Sequence, residues 1–392
     1  MSIIPLHCIQ EPEYKKAHER YALHKKIRSS ECQLSEQIKE MEARFENYEE
    51  ENKLPSSREK KQLRALIKEA ETTVIHKGGY QIVFCTCSEA GSARVVDNIK
   101  PTHLIIDEAA MITEPEAMIP IQLADHVTLI GDHQQLQPVI NYKHAKERGL
   151  GCSLFERYAQ SNKDSHDAIC KFPSEQFYDG QLITDQSVSQ QFCSLEGFWP
   201  NGPNCPIAFC DVEGKEEDGS IDHKVYRESK RNRIEADKTA EIIVALRKKI
   251  TQNNINNPLR IAVLTPYKAQ KKLMEEIVKE KNLNVDSVLT ITESQGCEFE
   301  FVILSTVRSI PRTKLKNRAA VQPDRTWIGE HLGSLTDRHQ ICVGITRAKY
   351  GLVIVGNAEL LKYNETWEKL LKHYEERGCK EEVKDFLTRN NN

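Results

Sequence analysis

The stretch His103-Leu104-Ile105-Ile106-Asp107-Glu108-Ala109-Ala110 decides the fold of this chain. A short β-rich run ends abruptly in two carboxylates. A continuous apolar run, as opposed to an alternating one, suits a strand buried on both faces of a parallel sheet. Charges at the end of such a strand are costly unless they have partners. Two readings fit. Magnesium and a water nucleophile are suitable partners, one carboxylate holding the metal through its water shell and the next orienting the attacking water. Alternatively, the acidic pair caps the helix that follows, whose dipole favours negative charge.

The next run downstream, Val127-Thr128-Leu129-Ile130, ends in Gly131-Asp132-His133-Gln134-Gln135-Leu136-Gln137-Pro138. Gly131 permits close backbone approach. Gln134 can report on a terminal phosphate by hydrogen bonding, or belong to a polar turn. Similar runs occur at Gln81–Phe84, Ile261–Leu264, Val288–Ile291, Phe301–Leu304 and Leu352–Val355, mostly separated by helical or loop stretches. Strands alternating with helices predict a doubly wound α/β architecture. In such sheets ligands collect at the carboxyl ends of the strands.

Upstream, residues 11–75 are highly charged and almost free of glycine. Leu34, Ile38, Met41, Phe45 and Tyr48 recur at helical spacing. Pro55-Ser56-Ser57 breaks the pattern, and Leu63, Leu66, Ile67 and Ala70 restart it. The expectation is a helical hairpin with solvated faces of mixed sign; a freestanding coiled-coil dimer is the sharper alternative. Between Asp179 and Arg233 the chain is polar and reads as an irregular connection.

Composition sets limits. The 392 residues suggest two or three domains at roughly 150 residues each. With 55 Lys+Arg against 58 Asp+Glu, the net charge is −3. A histone-like or tail-like nucleic-acid binder is excluded, whereas a local basic groove is not. No apolar run approaches the about 20 residues that cross a bilayer. Met1 to Gln10 lacks the apolar stretch of a signal peptide. The expectation is therefore an intracellular protein, with the cytoplasm favoured over the nucleus, whose 12 cysteines are reduced thiols. Cys193, Cys205, Cys210 and His223 lack compact zinc-ligand spacing, and the three cysteines read as buried or loop thiols.

Taken together, the strand-end motifs resemble those of superfamily 1 helicases, specifically the up-frameshift type of RNA helicase. Asp107-Glu108-Ala109-Ala110 is similar to that family's Walker B motif, and Gly131 to Pro138 to its motif III. Phe84-Cys85-Thr86-Cys87-Ser88 resembles the strand-end motif whose threonine touches the nucleic-acid backbone. Thr265-Pro266-Tyr267-Lys268-Ala269-Gln270 resembles motif IVa, Thr292-Glu293-Ser294-Gln295-Gly296-Cys297-Glu298 motif V, and Val343-Gly344-Ile345-Thr346-Arg347-Ala348-Lys349 motif VI. Cys170 to Tyr178 and Trp327 to Gly333 add a finer resemblance to the helicase-with-zinc-finger branch. The likeness covers roughly residues 80 to 375.

The resemblance implies two RecA-like parallel-sheet domains, the first incomplete, with a helical stalk. The domains are expected at residues 1–78 (stalk), 79–160 (partial first RecA-like domain) and 161–392 (second RecA-like domain). It implies ATP and magnesium as cofactors and RNA as partner, with single-stranded DNA open. ATP would bind between the two RecA-like domains. Asp107 would hold magnesium, Glu108 activate water, Gln134 sense the γ-phosphate and Arg347 act as an arginine finger. Tyr267, Gly296 and Glu298 would contact the nucleotide, although Tyr267 can also stack a base or simply pack. Thr86, Thr265, Gln270 and Ser294 would contact nucleic acid.

Two parts of the family pattern are missing. No Gly-x-x-x-x-Gly-Lys-Ser/Thr loop occurs; the lone Gly-Lys pair, Gly214-Lys215, is followed by Glu216. Such a loop cradles phosphates with backbone amides and neutralises them with its lysine. With the strand and helix that flank it also missing, the first domain's sheet should have a hole. The Gln-Tyr-Arg-Met-His run expected at the start of the second domain is also absent, with Lys163 a weak substitute for its arginine. The gaps imply a partial sequence, a skipped-exon product or a degenerated gene. A non-catalytic binding protein on the helicase scaffold is therefore the alternative to an ATP-dependent helicase.

Overall fold

The computed structural model describes residues 22–29, 32–50, 53–77, 82–159, 169, 171–180, 195–221, 224–253, 259–316 and 324–391. The chain divides into two compact units, Met1–Asp132 with Gln137–Tyr158, and His133–Leu136 with Ala159–Asn392.

In the first unit the expected hairpin forms from helices Ser35–Glu50 and Ser57–Lys77. The second helix starts where Pro55-Ser56 breaks the first. The Ser56 Oγ accepts from Glu59 N at 3.3 Å while Glu59 Oε2 accepts from Ser56 N at 2.9 Å, a reciprocal capping box. Ile38 and Ala70 are buried between the helices, with Leu23, Ile27, Leu34, Leu63 and Leu66 around them. Strands β1 (His103–Ile106) and β2 (His126–Leu129) pair in parallel, His103 opposite His126 and Ile106 opposite Leu129.

Burial of this small sheet departs from expectation. Ile105 is 65% exposed, and Val127 and Ile130 also face outward. Only two strands pair in this sheet among the described residues, so no neighbouring strand or helix covers that face. Residues 82–84 form no strand, and Ile82 and Phe84 are exposed. Their apolar run finds no ladder to join among the described residues.

The second unit holds a six-stranded, wholly parallel sheet. Its strands are β3 (Ile207–Asp211), β6 (Ile261–Thr265), β7 (Ser287–Thr290), β8 (Phe299–Ser305), β9 (Ala348–Gly356) and β10 (Lys380–Glu382). They lie in the order β10-β3-β9-β8-β6-β7. Strands β3 and β6 are buried along their whole length, as doubly covered strands should be. Helix Arg233–Gln252 packs Ala236, Ile243 and Leu246 into a core that includes Phe198, Val263, Ile303 and Val353. Gly351 lets Trp199 lie directly on the β9 backbone, where any β-carbon would collide with the indole.

The stretch from Asp179 to Arg233 is not merely irregular. It supplies β3, paired to both β9 and β10, and an antiparallel hairpin of β4 (Glu216–Ile221) and β5 (Lys224–Asn232). The polar sequence of that hairpin suits a ribbon that leans on helix Lys268–Glu280 instead of entering the central sheet. Ser229 Oγ accepts from Ala269 N at 3.1 Å where the two meet.

Candidate nucleotide and nucleic-acid site

Asp107 and Glu108 stand at the carboxyl end of β1, where the sequence places them. The chain turns sharply there because Glu108 adopts a left-handed conformation, φ +51°, and Asp107 Oδ1 accepts from Glu108 N at 2.9 Å. The β1–β2 ladder continues into this turn. Ile130 N donates to Ile106 O at 2.9 Å, and Ala109 N donates to Ile130 O at 2.8 Å. Gly131 closes the arrangement, since a β-carbon on it would come 2.9 Å from Ala110 N and 3.2 Å from Ala109 N. Asp107 is exposed and Glu108 partly so, with Ala109 and Ala110 buried beneath them. The first turn of a long helix does not follow; residues Ala109–Met111 form a single 3-10 turn. Capping a helix dipole is therefore not the role of this pair.

Thr86, in the same unit, is exposed and begins the short helix Cys87–Ala90, its Oγ1 accepting from Glu89 N at 3.2 Å. That bond uses the hydroxyl as an acceptor and leaves its proton able to donate.

The other residues lie in the second unit, and several converge on Arg347. This arginine ends helix Arg338–Thr346 and leads into β9, with only 7% of its surface exposed. Its Nε donates to Val343 O at 3.2 Å, Nη1 to Cys297 O at 3.3 Å, and Nη2 to Thr346 Oγ1 at 2.9 Å and Gln135 Oε1 at 3.4 Å. All four acceptors are neutral. Gly296, which has φ +72°, and Glu298 flank Cys297, so the motif V turn is held to Arg347 through that carbonyl. Phe299 N donates to Arg347 O at 3.0 Å, and Glu298 pairs with Lys349 at 3.0 Å. Gln134 is tied to the same helix, its carbonyl 3.0 Å from His339 Nδ1.

This cluster lies at the amino ends of β8 and β9, whereas the rule for open sheets directs attention to carboxyl ends. Tyr267 and Thr265 do lie at the carboxyl end of β6. Tyr267 is 5% exposed, its hydroxyl donating to Leu332 O at 3.3 Å and accepting from Arg308 Nη1 at 3.4 Å. Thr265, Gln270 and Ser294 are wholly buried. The Gln270 amide is committed to the backbone of Asn232 and to Ser305 Oγ, and Ser294 Oγ donates to Ile291 O at 2.8 Å. In this structure all three are buried; Gln270 and Ser294 brace the strand ends through these bonds, the Thr265 hydroxyl finds no hydrogen-bond partner among the described residues, and Thr86 is exposed.

Sequence reasoning does not single out Arg308, Glu216 or Glu235. Arg308, in the loop after β8, is nearly buried. It donates through Nε to Glu216 Oε2 at 2.9 Å and through Nη2 to Glu330 O at 2.7 Å. These bonds hold the β4–β5 hairpin, Tyr267 and the end of helix Arg325–Leu332 together. Its pKa is raised because Glu216 and Tyr267 outweigh the effect of burial. Glu235 is fully buried, its Oε1 accepting from Ser305 Oγ at 2.8 Å and Val307 N at 2.7 Å. Burial pushes its carboxyl up to about 7. A signal for Glu235 exists in the sequence: Asn232-x-x-Glu235 opens a helix, and Asn232 Oδ1 accepts from Glu235 N at 3.2 Å. The Glu235 carboxylate, however, turns to the β8 loop, and Gln270 Oε1 takes over Asn232 N at 2.8 Å.

Basic residues recur after β8 at Arg312, Lys314, Lys316 and Arg318, and the first of them is committed to carboxylates. Arg312 pairs with Glu382 at 2.9 Å and Asp211 at 3.0 Å. Arg318, Lys163, Cys193 and His223 lie outside the described residues. Among the described residues no cluster of three metal-ligating side chains occurs, and no helix is long and apolar enough to cross a membrane.

Comparison with known proteins places the chain in a family. Two AAA-domain family models match, one over residues 7–143 and one over 151–359. The chain is 33% identical over 361 residues to the protein of Mus musculus named 3'-5' exoribonuclease HELZ2, covering 89% of this chain and 12% of that protein. It is 32% identical over 341 residues to the ATP-dependent helicase NAM7 of Saccharomyces cerevisiae, covering 83% of this chain and 32% of that one. A Regulator of nonsense transcripts 1 homolog of Neurospora crassa is 31% identical over 341 residues, covering 83% of this chain and 28% of that one. The chain thus spans a third or less of these relatives. With one family model alone matching more than half of its residues, the chain belongs to the AAA-domain helicases of superfamily 1, of the up-frameshift type.

Proposed function

We propose that this chain is the motor portion of an ATP-dependent RNA helicase, coupling nucleotide hydrolysis to movement along RNA. The observation that carries the reading is Arg347, a nearly buried guanidinium whose hydrogen-bond partners among the described residues are all neutral. A buried cation without a carboxylate is costly and is suited to an incoming anion. A terminal phosphate fits, and the guanidinium would stabilise charge that develops on it. Gln134 and Gln135, attached to the same helix and to Arg347, are suited to couple that event to the motif III segment.

The carboxylates fit magnesium. Asp107 is exposed at a strand end, which suits contact with a hydrated ion, and Glu108 beside it can orient a water. The chain does not fit the phosphate cradle, since no Gly-x-x-x-x-Gly-Lys-Ser/Thr loop is present. A triphosphate would then lack both the backbone amides that wrap it and the lysine that neutralises it. This favours a second reading for the 392-residue chain taken alone: a nucleic-acid-binding module with impaired hydrolysis. Thr86 is the exposed candidate for a backbone contact, and Gln270 and Ser294 would act by bracing strand ends.

The test measures RNA-stimulated ATP turnover and RNA binding of the chain together. The expected result is salt-sensitive RNA binding with turnover far below the about 1 s⁻¹ that marks the low end of ordinary enzymes. Turnover in the ordinary range that disappears in Glu108→Gln would overturn the impairment. Absence of RNA and single-stranded DNA binding at low salt would overturn the motor reading.

A further inference from the structure

Cys205 and Cys379 are separated by 174 residues in sequence but their sulfurs lie 3.3 Å apart. Cys379 is fully buried and Cys205 only partly so. Both sit in turns just before parallel strands, Cys205 ahead of β3 and Cys379 ahead of β10. Those turns are built on left-handed glycines, Gly202 at φ +80° and Gly378 at φ +61°. The backbones are already joined, because Phe209 N donates to Cys379 O at 2.8 Å. A covalent bond between the sulfurs needs a closing movement of little more than 1 Å, since a disulfide is about 2.05 Å long.

We propose that Cys205 and Cys379 form a peroxide-responsive thiol pair that closes to a disulfide in the folded protein. The two thiols have different parts. Cys205 has access to solvent and meets the oxidant. Cys379 is kept protonated, its pKa pushed up to about 12 by burial and by Cys205 beside it, so it does not react first. The Cys205 thiol gives up its proton as its sulfur attacks one oxygen of hydrogen peroxide, the O–O bond breaks, and the departing hydroxide takes up that proton to become water. Cys205 is then a sulfenic acid. The Cys379 sulfur attacks the Cys205 sulfur, displacing hydroxide, which takes the Cys379 proton and leaves as a second water. Two thiols and one peroxide thus give one disulfide and two waters.

The bond would fasten the C-terminal element to the sheet. Strand β10 has three residues and pairs only with β3 among the described strands, yet helix Val383–Asn391 behind it buries Val383, Phe386 and Leu387 in the second unit's core. The pair lies on the amino-end side of the sheet, and β3 is the direct neighbour of β9, the strand that Arg347 introduces.

The test treats the folded chain with hydrogen peroxide in the presence of dimedone, then blocks free thiols and maps peptides by mass spectrometry without reduction. The expected result is one cross-linked peptide pair joining Cys205 to Cys379, lighter by two hydrogens and lost on reduction, with little dimedone on Cys205. In Cys379→Ser the cross-link disappears and Cys205 carries dimedone instead, because the sulfenic acid has no partner. The proposal is overturned if Cys205 stays a free thiol while exposed Cys85 oxidises, if wild-type Cys205 accumulates dimedone with Cys379 intact, or if either cysteine pairs elsewhere.

Discussion

Glu235 allows the sharpest test of how this fold is held. The carboxyl is fully buried at the start of helix Arg233–Gln252. The groups that favour its charged form are Ser305 Oγ and the backbone amides of Val307 and Thr306, all of them neutral, and Oε2 finds no hydrogen-bond partner among the described residues. Burial outweighs them and raises the folded pKa from 4.5 to about 7. In the unfolded chain the group ionises near 4.5. Between these values the folded protein binds more protons than the unfolded one, so stability falls as pH rises. The contribution is fully present below pH 4.5 and is lost by the time pH passes 7. At about 1.4 kcal/mol for each pKa unit, the loss is about 3 kcal/mol.

Glu235→Gln removes the titration while keeping an acceptor for Ser305 and Val307. Its new amide protons carry their own penalty, which does not depend on pH. The quantity to measure is therefore the change with pH in the stability difference between variant and wild type. From about pH 5 to pH 8 that difference should move by about 2–3 kcal/mol in the variant's favour. With a urea m-value of about 3 kcal/mol/M, this is about 1 M in relative midpoint. The readout is clean because all three tryptophans, Trp199, Trp327 and Trp367, belong to the second unit, so their fluorescence follows that unit alone. Parallel pH profiles for wild type and variant would refute the reasoning.

Three further outcomes follow from close approaches and buried pairs. Gly333 has φ +54° and ψ −126°, and a β-carbon would lie 2.6 Å from Tyr267 Oη and 2.8 Å from Arg308 Nη1. Gly333→Ala should lower second-unit stability by about 2–4 kcal/mol in the same fluorescence assay. Gly131→Ala should push the motif III strand end off the Asp107–Glu108 turn, and hydrogen exchange at the Ala109 amide should quicken by roughly 10-fold or more, equivalent to about 1.4 kcal/mol or more. Arg308→Lys keeps the charge but loses the fork between Glu216 and the Glu330 carbonyl, so midpoint denaturation should report a loss of about 1–3 kcal/mol.

What is legible in the sequence divides along a physical line. The inner strands of a doubly covered sheet are largely apolar, and each apolar run expected after residue 259 forms a strand within a few residues of its expected ends. The Asp107–Glu108 and Gly131 turns are legible because their chemistry needs particular residue types at a strand end. Strand β3 does not stand out, although Ile207-Ala208-Phe209-Cys210 is apolar, because it lies among Pro, Gly and acidic residues that read as loop. The β4–β5 hairpin is hidden for the opposite reason: its polar ribbon leans on one helix and has no apolar period. Residues 82–84 mislead, since an apolar run predicts a strand only if a neighbouring strand is there to pair with it, and in the described structure none is. The same lack of neighbours exposes Ile105 and Val127. Burial therefore depends on what the rest of the sheet supplies as well as on a segment's own composition. Site residues follow the same logic. Motif resemblance marks Thr265, Gln270 and Ser294 as contacts, but it carries no information on which way a side chain turns. The Gln270 amide is directed into the strand-end network that also holds Glu235, through Ser305 Oγ, and the Ser294 hydroxyl is spent on the carbonyl of Ile291 in its own turn.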